Sequence, residues 1–333
     1  MPAASPAARP LRPTDLPVLA SLWARGKLPL AAGEAVAFCN QAHVLERLGS
    51  RERSLTALGG LERAFRQWAP IGSDRLTWVA RRGLAVRGLA SARRRGRRSA
   101  WEVDYLIVAS GEESTGASLL EELTRGLGRA GVEKVFIRLD AQSRLLDVAR
   151  SAGFFPYLKE HLWRLEQVSQ GLDCPPLPMR LSALGGADLL PLFQLYNASV
   201  PAAVRRCEAL TLREWAAMQE RGRCQHLVLQ KDARLAAWLR LARHDGAGCF
   251  ALLAARRQDA PLDNLLATAM HYLRGRRPIF CLVPEYERTL AARLADLGFQ
   301  PVSEYALLAN RLVRPIEEAA PVPAGAQQPY PVS

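Results

Sequence analysis

The feature of this sequence that most constrains its fold is an order of elements that occurs twice. Asp15-Leu16-Pro17 is echoed by Asp188-Leu189-Leu190, and Gly153-Phe154 is echoed by Gly298-Phe299. Between these landmarks each unit shows the pattern of a three-stranded meander, a helix, a strand and a second helix. The 333 residues leave room for two domains of ordinary size. The repeat therefore predicts two domains of one kind.

A stretch without periodicity separates the two units. Residues 166–178, from Glu166 to Pro178, contain three prolines and suit a linker between compact domains. We therefore expect an N-terminal domain over residues 1–165 and a C-terminal domain over residues 179–317. The Pro/Ala/Gln-rich tail, residues 318–333, is expected to be disordered.

The pattern inside the first unit predicts an α/β fold, in which a mixed, mainly antiparallel sheet is flanked by helices. Apolar residues at helical spacing predict early helices between Leu16 and Trp68. The meander, the long helix and the next strand are expected at Leu76–Ala80, Leu84–Ala92, Ala100–Val108, Ser118–Ala130 and Lys134–Leu139. Gly131 and Gly153 are expected to end helices.

The charge of the chain is strongly basic, with 45 basic against 32 acidic residues and a net charge of +13. Only four of the basic residues are lysines, and the arginines are spread along the whole chain. The turn from Arg93 to Arg98 holds five arginines in six residues and is the only candidate surface for nucleic acid. A solvated turn is the alternative, since no aromatic residues are interleaved with the arginines, and we do not expect nucleic-acid binding.

Cysteine usage and hydropathy indicate a cytoplasmic protein. The six cysteines are far apart without a Cys-x-x-Cys pair, and the five histidines are scattered, so we expect neither disulfides nor a metal site. No apolar run reaches the length of about 18 residues that a membrane-spanning helix needs, so we expect no membrane association.

The order of elements resembles that of the GNAT acetyltransferase superfamily, and the duplication resembles a tandem GNAT protein. In that family the fourth and fifth strands splay apart and acetyl-CoA lies in the wedge between them. Its pyrophosphate rests on the loop that opens the long helix, with the pattern Arg/Gln-x-x-Gly-x-Gly/Ala. The resemblance implies an acyl-CoA cosubstrate, because amides at a helix N-terminus attract phosphate.

The first unit matches this loop pattern in part. Gly116 matches the second glycine, Ser114 stands in place of the first, and Gly111 replaces the basic or amide residue. The cofactor contacts that the resemblance implies are Ile107, Val108, Ser114, Thr115, Gly116 and Ala117. Glu112 and Glu113 would oppose a diphosphate, and the alternative is an acid-rich turn that only caps the helix.

The second unit lacks the glycines of this loop. Its stretch Arg257–Leu262 contains no glycine, and Pro261 removes an amide donor. We expect the C-terminal domain to be structural and to bind no cofactor.

The strand before the loop carries the candidate bases. Strict alternation would place Trp101, Val103, Tyr105 and Ile107 on one face, and Glu102, Asp104, Leu106 and Val108 on the other. The resemblance implies a base that deprotonates the amine, for which Asp104 is the better candidate and Glu102 the second. The alternative is that both are solvent-facing carboxylates of a half-exposed strand.

The family's thiol-protonating tyrosine is missing. Ala149 stands at its usual place in the first unit and Leu294 in the second. Tyr157 is a candidate substitute, with core packing as the alternative. The resemblance implies an acyl-CoA-dependent N-acyltransferase that acts on an amine of a small molecule or peptide. The alternative is a non-catalytic acyl-CoA sensor or interaction scaffold.

Overall fold

The computed structural model of the protein describes residues 7–15, 75–83, 85–95, 100–108, 111–166, 176–182, 186–219, 224–232, 234–244, 246–255 and 261–312. The early helices predicted from Leu16 to Trp68, most of the linker, the tip of the arginine turn and the tail lie outside these ranges.

The first half of the chain shows the predicted meander, long helix, strand, short helix and final strand. Its elements are β1 (Ala7–Pro10), β2 (Arg75–Arg82), β3 (Ala85–Arg94), β4 (Ala100–Val108), α1 (Glu113–Arg129), β5 (Lys134–Asp140), α2 (Leu145–Ser151) and β6 (Phe155–Leu165).

The second half repeats this order after three short helices. Its elements are β7 (Arg180–Leu181), α3 (Leu189–Ser199), α4 (Ala202–Glu208), α5 (Leu212–Met218), β8 (Cys224–Lys231), β9 (Arg234–His244), β10 (Ala247–Ala254), α6 (Leu262–Tyr272), β11 (Ile279–Pro284), α7 (Arg288–Asp296) and β12 (Gln300–Arg311).

The two Gly-Phe motifs end α2 and α7 in the same way. Gly153 and Gly298 have φ of +84° and +85°, a left-handed conformation that glycine adopts at little cost. The amides of Phe154 and Phe299 both bond to a carbonyl five residues earlier, at 3.0 Å. Both phenylalanine rings are buried. The repeated sequence thus makes a repeated helix end with an apolar anchor.

The two aspartates of the repeat also occupy equivalent places. Asp15 and Asp188 each end a single 3-10 turn, at Pro13–Asp15 and Gly186–Asp188. Arg9 binds Asp15 through two nitrogens, at 2.8 and 2.7 Å, and Arg180 holds Asp188 through two nitrogens as well. Each aspartate therefore ties its turn to the strand before it through a charge-assisted pairing.

The twelve strands of the described ranges form one sheet in the order β1-β2-β3-β4-β5-β12-β6-β11-β10-β9-β8-β7. The halves exchange their last strands: β12 from the second half pairs with β5 of the first, and β6 from the first half pairs with β11 of the second. The two exchanged strands also pair with each other. Two of the pairings are parallel, β4 with β5 and β10 with β11, and the others are antiparallel. The predicted mixed, mainly antiparallel sheet is confirmed.

Helices cover both faces of the sheet. On one face α1 and α2 cover the first half and α6 and α7 cover the second, through apolar side chains that form two buried clusters. On the opposite face α3, α4 and α5 cover the second half and share an apolar cluster with β6 and with strands β8 to β12. The layers are those of the α/β class that the sequence predicts.

Candidate functional site

In each half the central pair of parallel strands opens into a wedge. Ala100–Glu102 of β4 pair with Lys134–Phe136 of β5, and both strands then continue without pairing to each other. In the second half Gly248–Phe250 pairs with Ile279–Cys281 and the strands then part in the same way. A crevice between strands at their carboxyl ends is a usual place for a ligand in an α/β sheet.

A β-bulge in β4 lies where the first wedge opens. The register of β3 and β4 jumps from Ala92 opposite Val103 to Ser91 opposite Tyr105, so Asp104 is the extra residue. Leu106 packs in the same core cluster as Val103, on the side of α1.

The bulge corrects the predicted alternation of β4. Leu106 and Val108 were expected on the face of the two acids, but they lie on the face of Trp101 and Val103. The prediction for these two residues is wrong because a bulge reverses the order of inward and outward side chains after it.

Asp104 is buried in an ion pair. It is 2% exposed, and its Oδ2 lies 2.5 Å from Nη2 of Arg75 on β2. Burial raises the pKa of Asp104 to about 6, because loss of water outweighs the opposing charges of Arg75 and Arg93. A carboxylate whose pKa lies close to neutral suits a general base.

Glu102 lies two residues before Asp104, at the last position where β4 and β5 pair. It is 4% exposed and interacts electrostatically with Arg138 on β5. Arg138 is itself buried and donates from Nη2 to Glu160 on β6 at 2.6 Å. Charged side chains from both β4 and β5 therefore lie where the wedge begins. Arg138 also binds β6, one of the two exchanged strands.

The hydroxyl of Tyr157 donates to a carboxylate of the second half. It lies 3.2 Å from Oε1 of Glu208, at the end of α4, and Tyr196 donates to the other oxygen at 3.1 Å. The ring of Tyr157 packs on the edge of Phe136, 6.2 Å between centroids, in a small cluster with Ala309 of β12. Burial and the charge of Glu208 raise the pKa of Tyr157 well above its usual value. The structure thus places Tyr157 at the junction of the two halves.

Sequence reasoning missed the partners of all three candidates. Arg75, Arg138 and Glu208 meet the predicted residues across strands or across the two halves. None of the three belongs to a motif, so nothing local in the sequence distinguishes them. The alternative that Glu102 and Asp104 face solvent is excluded by their burial.

The loop that opens α1 carries an acid at its centre. α1 begins at Glu113, five residues before the predicted start, and an acidic first turn stabilises a helix N-terminus. Oε2 of Glu112 accepts from the hydroxyl of Thr115 at 3.0 Å and from Arg82 at 3.2 Å. Nε of Arg87 lies 4.0 Å from the other oxygen of Glu112.

The predicted cofactor contacts divide into two groups. Ser114 and Ala117 lie in the first turns of α1 with part of their surface accessible. Thr115 and Gly116 are buried, and so are Ile107 and Val108 at the end of β4.

Gly116 has a packing role. A Cβ on Gly116 would lie 2.9 Å from methyl groups of Val108 and Val148, so its small size lets α1 pack closely on β4 and α2.

The surroundings of the loop fit an anionic group. Nε of Arg82 and Nε of Arg87 are buried and form no hydrogen bond within the part of the chain that the structure describes. These two donors stand beside Glu112 at the positive end of a 17-residue helix. Phosphate oxygens are the partners that guanidinium donors and a helix N-terminus prefer. The residues therefore fit the diphosphate of an acyl-CoA, apart from the charge of Glu112.

The second half differs at the corresponding helix. α6 begins after Pro261, and Asp263 in its first turn is held by Arg293 of α7 at 2.5 and 3.1 Å. Residues 256–260 of the preceding loop lie outside the described ranges. Leu294 is buried in the core, as is Ala149 in the first half, so the two places of the missing tyrosine are apolar.

Two features are absent from the part of the chain that the structure describes. These residues contain no cluster of histidine, cysteine, aspartate and glutamate suited to a metal ion. They also contain no helix long and apolar enough to cross a membrane.

Two solved structures similar to this chain are named as GNAT proteins. A GCN5-related N-acetyltransferase from Sphaerobacter thermophilus is 18% identical, with a TM-score of 0.52 over 93% of this chain and 96% of that one. A tandem GNAT protein from the clavulanic acid biosynthesis pathway is 18% identical, with a TM-score of 0.53 over 92% and 98%. No family model and no curated protein matches the sequence. The chain has the fold of a tandem GNAT protein, so the predicted resemblance is confirmed at the level of fold.

Proposed function

We propose that the protein is an acyl-CoA-dependent N-acyltransferase whose active half is the N-terminal one. The observation that carries the proposal is the bulge at Asp104, which puts a buried carboxylate where β4 and β5 part. The Nε donors of Arg82 and Arg87 beside α1, which form no hydrogen bond within the described residues, support an anionic cosubstrate at the same end of β4. Neighbours of this fold that are named acetyltransferases are consistent with it.

The acyl thioester would supply an acyl group that an amine attacks, forming an amide and releasing the thiol. The nitrogen must first lose a proton, and we assign this step to Asp104, with Glu102 as the second candidate. Because burial raises the pKa of Asp104 to about 6, the residue is ionised and able to accept a proton at neutral pH. Arg75 holds this carboxylate in place through their ion pair.

The amides and arginines around α1 would hold the diphosphate of the cosubstrate. The contacts proposed there are Ile107, Val108, Ser114, Thr115, Gly116 and Ala117. The acceptor would be an amine of a small molecule or peptide, and the reaction would take place in the cytoplasm. We retain the domain bounds 1–165 and 179–317 with their linker as part of the proposal, and assign the C-terminal half a structural role.

The test compares binding with turnover. Calorimetry would measure acetyl-CoA and free CoA binding, and thiol release would be followed over a panel of amines. We expect Asp104→Asn to lower kcat/KM at least a hundredfold and to remove the rise of rate with pH near 6. Asp147→Asn, which neutralises an exposed carboxylate on α2, is the matched control and should change neither. Unaltered turnover in Asp104→Asn would refute the assignment of the base.

A second function, binding of acyl-CoA without transfer, is favoured by one observation. The hydroxyl of Tyr157 is engaged by Glu208, and Ala149 occupies the family's tyrosine position within the core. A sensor or scaffold would bind CoA and release no thiol with any amine. That outcome would replace the enzyme proposal and leave the wedge as the ligand site.

A further inference from the structure

The carboxylate of Glu112 stands at the start of α1 among groups that attract anions. It is hydrogen-bonded to Thr115 and Arg82, forms an ion pair with Arg82 at 3.1 Å, and lies 4.0 Å from Arg87. The side chain of Glu112 is 13% exposed, whereas that of Glu113, one residue on, is 46% exposed. The helix N-terminus and its two arginines therefore already have an anion, which belongs to the chain itself.

Glu112 does not use all the donors around it. Each guanidinium has five N–H groups, and among the described residues neither Nε of Arg82 nor Nε of Arg87, both buried, has a hydrogen-bond partner. An anion with more oxygens than a carboxylate would engage these donors as well. It would also meet the negative charge of Glu112 at close range, which opposes its binding.

We infer that Glu112 determines the specificity of this loop, as an internal counter-ion that a diphosphate must displace from Arg82 and Arg87. The inference rests on the proposed function, since it concerns the acyl donor of that reaction. Two consequences follow. The native protein binds a diphosphate-bearing donor more weakly than its arginines would allow, and Glu112 does not affect a donor without phosphate.

The first experiment uses inorganic pyrophosphate, so that it is independent of acyl transfer. Dissociation constants would be measured by calorimetry for the wild type, Glu112→Gln, Glu113→Gln and Arg82→Gln. We expect Glu112→Gln to bind pyrophosphate about tenfold more tightly, because one adjacent like charge is removed. Glu113→Gln removes the same charge from a more exposed residue and should change binding by less than about twofold. Arg82→Gln should weaken binding by about tenfold.

The second experiment uses two acyl donors. In Glu112→Gln the KM for acetyl-CoA should fall about tenfold, while that for the acetyl thioester of N-acetylcysteamine, which has no phosphate, should not change. A fall for both donors would overturn the inference, because Glu112 would then act on the wedge as a whole.

The two proposals fail in different ways. If Glu112→Gln binds pyrophosphate no better than the wild type, or if no variant binds it, the inference is overturned whether or not acyl transfer occurs. If pyrophosphate binding tightens as expected but no amine is acylated, the inference stands and the proposed enzyme fails. Should Glu112→Gln fold poorly by circular dichroism, Arg82→Gln decides the matter, and unaltered pyrophosphate binding in that variant overturns the inference.

Discussion

Asp104→Asn should remove a component of the pH dependence of folding stability that the wild-type protein carries. Burial raises the pKa of Asp104 from 3.8 to about 6, against the opposing charges of Arg75 and Arg93. The folded protein therefore binds this proton about two pH units more readily than the unfolded chain. Each unit corresponds to about 1.4 kcal/mol, so the full effect is about 3 kcal/mol.

The sign follows from proton uptake. Between about pH 4 and about pH 6 the folded state holds more protons on Asp104 than the unfolded state does, so the free energy of unfolding decreases as pH rises through this window. Most carboxyl groups in ion pairs have a lowered pKa and act in the opposite direction. From pH 4.5 to pH 7 the wild type should lose about 2 kcal/mol relative to Asp104→Asn.

The assay is urea unfolding of the wild type and Asp104→Asn at several pH values from 4.5 to 7.5. Other titrating groups contribute equally to both proteins, so the difference between their free energies of unfolding isolates Asp104. Asp147→Asn on the surface of α2 is the control, and its difference from the wild type should show no such decline. A constant difference between wild type and Asp104→Asn would refute the reasoning, since Arg75 would then compensate fully for the lost water.

The remaining predictions concern packing and the exchange of strands. Gly116→Ala should lower the free energy of unfolding by about 1–3 kcal/mol, because its Cβ would lie 2.9 Å from two valine side chains. Gly128→Ala on the same helix is the control: its Cβ would lie 3.8 Å from the nearest side chain, so the substitution should be neutral or stabilising. Equal urea midpoints for the two variants would contradict this prediction. A protease site inserted in residues 167–175 should yield fragments that stay together in size-exclusion chromatography, because β6 and β12 are exchanged; separated fragments would exclude the exchange. Tyr157→Phe should lower the free energy of unfolding by about 1 kcal/mol, because it removes the hydrogen bond to Glu208, and should leave kcat within about threefold of the wild type. A hundredfold fall in kcat would instead indicate that Tyr157 protonates the departing thiolate.

The repeat and most helices and strands of the described ranges could be predicted from local sequence patterns. The sequence predicted a helix over Ser118–Ala130, and Leu119, Leu123 and Leu127 within it are buried in α1. Gly153 and Gly298 predicted two equivalent helix ends, and both have positive φ. These features depend on contacts within a few residues, where the conformational preferences of glycine and the helical period act directly.

The pairing of the strands and the orientation of the site residues could not be predicted from local patterns. β6 and β12 have equivalent places in the two units, so no local pattern shows that each pairs into the sheet of the other half. The bulge at Asp104 is defined by the pairing register of β3 with β4, and it puts Leu106 and Val108 on the face opposite to the one expected. Glu208 reaches Tyr157 across 51 positions of sequence. Strand pairing and ion pairing join residues that are distant in the chain, and the free energy of such contacts depends on the whole packed arrangement.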